Sequence, residues 1–441
     1  MNKQKWIQCA LDKGFESFEI YQSGSSERSL SWFEGEMDSF VTSNVVTTSL
    51  RGVFGGKMAN YSTEDTDDSL MESIIGKMAE QAAAVTSEDV EIIRKPEQVE
   101  SLSQGRKWVR PGSDEILKLL ASLEAKIAAY DPRVFQVTFV DWQEEKSSRS
   151  IANSYGIDLA DENNIQIIYA GVAVREGEDI KDDYNYELVY DINEFDEDAF
   201  VKKLCDGALL KLNATALTSG TYPVILEKDA MTSLMMPLSR MFSGELIGKG
   251  ISPLKKDQLG ETLFSELITI VDDPMEESAV NRAAFDDEGC PTKRKLLVEN
   301  GHFTGILHNS KSAARMGEES TGNGFKSPFT SSIEVSPKNL FIKGGEASLD
   351  ELCARMGEGF VIMNLEGLHV GIDFITTNFS LQCSGYWVKD GKRDHSVTLV
   401  TAAGNFLELM KKVKAVGNDG EWKLGSISCP SILFEGLAIS G

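Results

Sequence analysis

Residues 231–245 read MTSLMMPLSRMFSGE and follow directly on the strand-like run YPVIL at residues 222–226. The apolar residues Met231, Leu234, Met235, Leu238 and Phe242 recur every three or four positions, which places them on one face of a helix. The pair therefore reads as a strand followed by a buried helix. Catalytic zinc needs imidazole, carboxylate or thiolate ligands plus an open position for water. Residues 231–245 hold no histidine and no cysteine. Pro237 removes a backbone donor and crowds the preceding turn, so a kink or break is predicted there.

The chain has 441 residues, more than one hydrophobic core usually organises, and two or three domains are expected. Hydrophobic residues make up 41% and charged residues 26%, the balance of a globular protein. A net charge of −25 opposes sequence-independent nucleic-acid binding, which depends on basic side chains neutralising phosphates. The six cysteines, at 9, 205, 290, 353, 383 and 429, form no CxxC pair and no secreted-type framework. No signal-like or membrane-spanning run is present, so a cytoplasmic protein without membrane contact is expected.

Moving outward, Trp6, Ile7, Ala10 and Leu11 mark a helix stopped at Gly14. Strands are expected around Phe18 and Ile20 and around Leu30 and Trp32, Glu34-Gly35-Glu36 is expected to turn the chain into 39–42, and a further run at 45–61 is broken by Gly52, Gly55 and Gly56. A helix on Leu70, Ile74, Ile75 and Met78 closes the first unit, and 87–112 reads as a linker. The order repeats: a helix over 114–130 capped by Ser113, strands over 134–190, and a helix on Phe200, Leu204, Ala208 and Leu212. Beyond residue 217 the pattern is mostly short strands and turns, with hairpins at Asn300-Gly301 and Lys389-Asp390-Gly391, a helix on Phe406, Leu409, Met410 and Val413, and a final strand over 432–434. The loop GEESTGNG, 317–324, lacks a P-loop's spacing and reads as a flexible surface loop or a lid. The expected class is α+β: an N-terminal region of two helix-strands-helix lobes, 1–95 and 113–216, which could form one domain, then a β-rich C-terminal domain, 217–441.

Several segments occur in an order specific to one family: Phe285-Asp286-Asp287-Glu288-Gly289, Glu299-Asn300-Gly301, Glu366-Gly367-Leu368-His369-Val370-Gly371, Thr377-Asn378-Phe379-Ser380, Gly404-Asn405 and Val416-Gly417-Asn418-Asp419. With the helix above, they make the chain resemble the TldD/PmbA family, long called modulators of DNA gyrase, from about residue 15 onward. TldD-type members of that family are zinc peptidases with an HExxxH helix. The six corresponding positions here are Met235, Met236, Pro237, Leu238, Ser239 and Arg240. Arginine has no lone pair to offer and a thioether suits softer metals. Cys429 is the nearest match to the family's third zinc ligand. The resemblance thus implies a TldE/PmbA-type subunit without its own zinc or other cofactor, paired with a TldD-like zinc subunit or with a second copy, and acting on unstructured peptides. It also places His369, Asn378 and Ser380 as candidate contacts to peptide or partner.

Two rival classes stay open at this point. A free-standing hydrolase would use Cys383 or Ser384 as nucleophile, His369 or His395 as base and Asp373 to orient it, or an unrecognised metal site for which His302 and His308, six residues apart on a strand, would supply half. A regulatory binding protein, as the gyrase name suggests, needs no chemistry at all.

Overall fold

The computed structural model describes residues 1–86, 92–102, 107–326 and 332–441, so the expected linker lies partly outside the described residues. Helix α1 (Lys3–Asp12) starts at Asn2, whose side chain accepts from the Lys5 amide at 3.2 Å, and it buries Trp6, Ile7 and Ala10. The strands expected around residues 18–20 and 30–32 are one, and 39–42 continues into the following run, with the turn between them at 34–36 as expected. β1 (Ser17–Phe33) and β2 (Glu36–Phe54) are continuous and antiparallel, joined by Glu34-Gly35, both at positive φ. Gly52 lies inside β2 and interrupts nothing; a Cβ there would come within 2.6 Å of the Phe15 ring. β3 (Lys57–Thr63) and α2 (Met71–Ala84) follow.

Helix α3 (Ser113–Ala128) is capped from Gly112 rather than Ser113, because the Glu115 carboxylate accepts from the Gly112 amide at 2.7 Å. Then come β4 (Val134–Asn153), β5 (Asp158–Glu176), β6 (Asp179–Leu188) and α4 (Glu197–Leu209). All six strands form one antiparallel sheet in the order β3-β2-β1-β4-β5-β6. The two helix-strands-helix units meet at β1 and β4, which pair from Glu19 opposite Asn153 to Trp32 opposite Val140.

Strand alternation explains how helices cover this sheet. Phe18 and Ile20 pack with α1 and α2, while Leu30, Val140 and Trp142 pack with α3 and α4. These β1 residues share one parity and hence one face. The other face presents Tyr21 and Ile151 to Ala284 and Phe285 of the C-terminal region. At this seam Asp287 accepts from the Tyr21 hydroxyl (2.9 Å), the Arg149 guanidinium (2.8 Å) and the Lys326 amide (2.8 Å).

The C-terminal region runs β7 (Gly220–Leu226), α5 (Lys228–Leu238), α6 (Gly244–Gly248), β8 (Ile270–Asp272), β9 (Lys295–Glu299), β10 (His302–Phe303), α7 (Ser310–Met316), β11 (Gly324–Lys326), β12 (Ile333–Val335), β13 (Leu340–Ile342) and α8 (Leu349–Met356). It continues through β14 (Gly359–Glu366), β15 (Asn378–Lys389), β16 (Lys392–Asn405), α9 (Phe406–Lys411), β17 (Val413–Val416), β18 (Ile427–Ser428) and β19 (Ile432–Ser440). It is β-rich and most of its strands are short, but the longer β14, β15, β16 and β19 join β7 and β17 in a second six-stranded sheet, β16-β15-β14-β7-β19-β17, which a β16–β19 pairing closes on itself. A five-stranded sheet, β10-β9-β8-β13-β18, lies beside it. The hairpin turns fall where glycine, asparagine and aspartate permit positive φ, at Asn300-Gly301 and Asp390-Gly391.

The architecture is therefore α+β with a β-rich C-terminal domain. No helix among the described residues is long and apolar enough to cross a membrane.

Candidate functional site

α5 begins where the buried Glu227 side chain accepts from the Asp229 amide at 2.9 Å and the Ser431 hydroxyl accepts from the Lys228 amide at 3.0 Å. Met231, Leu234, Met235 and Leu238 are buried in the main C-terminal core. The helix runs through Pro237 and gives way just past it to a tighter 3-10 turn at Ser239–Phe242, where the Ser239 hydroxyl donates to the Met236 carbonyl at 2.8 Å. This is the break that a residue without an N–H produces.

The positions at which the resemblance implies zinc ligands therefore diverge in space. Met235 is fully buried, Met236 is 54% exposed, and Arg240 is exposed with its guanidinium 5.9 Å from the Phe374 ring. Cys429 packs against the same helix, its amide donating to Thr232 Oγ1 at 3.1 Å. Burial pushes its thiol up to about 12, so it is protonated here. Among the described residues no group of three or more His, Cys, Asp or Glu side chains could hold a metal ion. The donors around α5 do not fit zinc.

His369 is exposed at the tip of a tight turn in which the Val370 and Gly371 amides both donate to the Gly367 carbonyl, at 3.0 and 2.8 Å. Val370 beside it is 80% exposed and Ile375 59% exposed. The Ser380 amide donates to the Gly371 carbonyl at 2.8 Å, leaving its side chain on the outer face of β15. Asn378 shares that face, but its Oδ1 accepts from Asn405 Nδ2 at 2.9 Å. Asn405 in turn caps α9 through the Glu408 amide. Asn378 thus braces the α9 cap.

The hydrolase groups are not assembled. Cys383 lies on the inner face of β15 with Phe379 and Leu381, and burial pushes its thiol up to about 12. Asp373 spends its carboxylate on the Ile375 and Thr376 amides, while His395 Nδ1 lies 2.8 Å from Asp394. The two remaining histidines do not share a strand face either, since β10 ends at Phe303. His302 is exposed against Thr262 and Gly260, whereas His308 is buried with Nδ1 3.1 Å from the Ser312 hydroxyl, and burial pushes its pKa down.

Residues 317–324 are not a flexible loop throughout: Gly322 to Gly324 are buried, and the Asn323 amide donates to Asp272 at 2.8 Å and to the Ser336 carbonyl at 3.0 Å. Sequence reasoning also missed what the 285–289 segment does. Asp286 accepts from the Glu288, Cys290 and Gly324 amides, and Glu288 from the Ser310 amide. Only the acidic run itself signalled this role.

Comparison with known proteins bears on this geometry. The family model described as PmbA/TldA metallopeptidase C-terminal domain matches residues 219–441, that of the central domain residues 107–212, and that of domain 1 residues 18–86. Metalloprotease PmbA of Escherichia coli O157:H7 is 26% identical over 329 residues, 74% of this chain and 70% of that protein. Alignments with curated relatives span from 48% to 70% of those proteins. A Thermotoga maritima protein whose name links it to modulation of a DNA gyrase superposes with a TM-score of 0.87 at 28% identity, covering 99% of each chain. TldE from Thermococcus kodakarensis has the same fold over the whole of both chains, with a TM-score of 0.91 at 22% identity.

Proposed function

Because this chain belongs to the PmbA/TldD metallopeptidase family, we propose that it is a PmbA/TldE-type subunit that does not cleave peptide bonds itself and completes a zinc peptidase supplied by a TldD-type partner. The observation that carries this reading is α5: the helix that would hold the metal buries Met235 in the core, turns Met236 and Arg240 outward, and faces a protonated Cys429. A helix kept for packing, with its ligand positions given over to methionine and arginine, suits a scaffold better than a centre of hydrolysis.

The substrate class is unstructured peptide in the cytoplasm. Met236, Val370 and Ile375 are exposed apolar side chains near the end of α5 and on the loop that Phe374 ties to it, and they suit contact with a partner subunit or an extended peptide. His369 and Ser380 are the side chains proposed to reach that peptide or partner. A second copy of the chain is the other candidate partner. The net charge of −25 weighs against direct action on DNA.

The test is metal content and cleavage on one purified sample. The reading requires less than stoichiometric zinc, no cleavage of an unstructured peptide by the chain alone, and cleavage once a TldD-type subunit is added. Stoichiometric zinc with activity in isolation would overturn it.

A further inference from the structure

The sheet face turned toward the C-terminal region carries small polar side chains where it leaves the seam. Ser23 lies opposite Thr47 on β2 and opposite Arg149 on β4, and Ser25 lies opposite Ser147. Short side chains leave the sheet surface hollow, and Asn281, Arg282 and Lys338 overhang it, enclosing a cleft of about 340 Å³. That is within the range of small-molecule sites, roughly 300 to 1,000 Å³.

The charges lining the cleft are unequally satisfied. Asp161 pairs with Arg149 at 3.3 Å, Glu162 with Lys146 at 2.9 Å, and Glu145 accepts from Ser25 at 3.1 Å. Arg149 is further committed to Asp287 and to the Phe285 carbonyl. Lys338 differs. Its ammonium sits 5.0 Å from the Phe325 ring and has no carboxylate or hydrogen-bond partner among the described residues. Burial first and the nearby Arg149 next push its pKa down to about 8, against the opposing pull of Asp287, Asp161 and Asp272, none of which is close enough to pair with it. The Ser23, Thr47 and Ser147 hydroxyls likewise make no hydrogen bond among the described residues, so they are available as donors.

We propose that this cleft binds an oxyanion, a carboxylate or phosphate group, with Lys338 as its counter-charge and the Ser23, Thr47 and Ser147 hydroxyls as hydrogen-bond donors. An ammonium that lines one cleft with free hydroxyls matches an anion's several acceptor lone pairs, and charge-assisted hydrogen bonds of this kind are the strong ones. The oxyanion belongs either to a free small molecule or to the C-terminal carboxylate of a peptide. The proposal does not depend on the subunit reading, since neither zinc nor a partner enters it.

Titration calorimetry of the full chain tests it, with inorganic phosphate in one arm and, in the other, one unstructured peptide bearing a free or an amidated C terminus. One-to-one binding of phosphate, of the free-acid peptide, or of both is expected. Lys338→Gln should weaken it about tenfold or more, the loss of a charged hydrogen bond. Thr47→Val keeps the side-chain shape on a partly exposed strand and should weaken it severalfold even if the lysine variant folds poorly. Binding of the free acid but not the amide assigns the site to a chain end, and binding of phosphate alone assigns it to a free oxyanion. No binding in any arm, or binding that both variants leave unchanged, overturns the proposal.

Discussion

Glu227 sits buried at the start of α5, with Asp229 and Asp419 close by, and its pKa is pushed up to about 7 by burial first and by Asp229 next. Its ordinary value is 4.5. In the unfolded chain it ionises near that value, so between pH 4.5 and about 7 the folded state holds more protons. Stability therefore falls as pH rises through this window. At roughly 1.4 kcal/mol for each tenfold change in proton affinity, the loss is about 3 kcal/mol. Glu227→Gln keeps an oxygen to accept from the Asp229 amide but cannot ionise. Urea unfolding of both proteins at a series of pH values should give equal stability near pH 4.5 and a variant more stable by about 3 kcal/mol at pH 8. Parallel pH profiles for the two proteins, or a variant less stable at pH 8, would refute the reasoning.

Other consequences are open to direct measurement. Asp287→Ala removes the nearer of the two carboxylates paired with Arg149 and the acceptor of the Tyr21 hydroxyl and the Lys326 amide, and should cost about 2 to 3 kcal/mol in urea unfolding, since Asp161 and the Phe285 carbonyl still hold the guanidinium; a cost below 1 kcal/mol would mean that the seam is wet. Met235→Ala should cost about 2 to 5 kcal/mol through the cavity it leaves, whereas Met236→Ala, at an exposed site, should stay within about 0.5. Reversed costs would mean that the buried face of α5 is misassigned. Because the thiolate is the reactive form, alkylation of the native protein should label Cys9, the cysteine that is not buried, and spare Cys383 and Cys429 until the chain unfolds. Mass spectrometry of the labelled peptides reads the order.

Features whose cause is local were legible in the sequence. The three-and-four spacing of Met231, Leu234, Met235 and Leu238 marks α5, and Pro237 marks its end. Asn300-Gly301 and Asp390-Gly391 mark their hairpins because few other residues tolerate those dihedrals. The N-terminal sheet was only half legible. Residues 22–29 of β1 are polar, so the apolar alternation at Phe18 and Ile20 is cut off from that at Leu30 and Trp32, although one strand carries both. The candidate site divides in the same way. The missing ligands can be read from residue types alone, but the protonation of Cys429, the inward face of Cys383 and the bracing role of Asn378 depend on burial and on partners far along the chain. Nothing local in Lys338 or Ser147 signals that they share a cleft.

The central position of β1 also governs the timing of folding during synthesis. One of its neighbours, β2, follows immediately, but the other, β4, ends about a hundred residues beyond the end of β2. At roughly 5 to 20 residues per second, a ribosome takes about 5 to 20 s to supply it. For that interval the nascent hairpin carries an unpaired strand of 17 residues, the kind of edge that invites pairing with other chains. The serines and charged groups over 22–29 keep much of that edge well hydrated, so the run that hides β1 from a reading of the sequence also protects the nascent chain until β4 arrives.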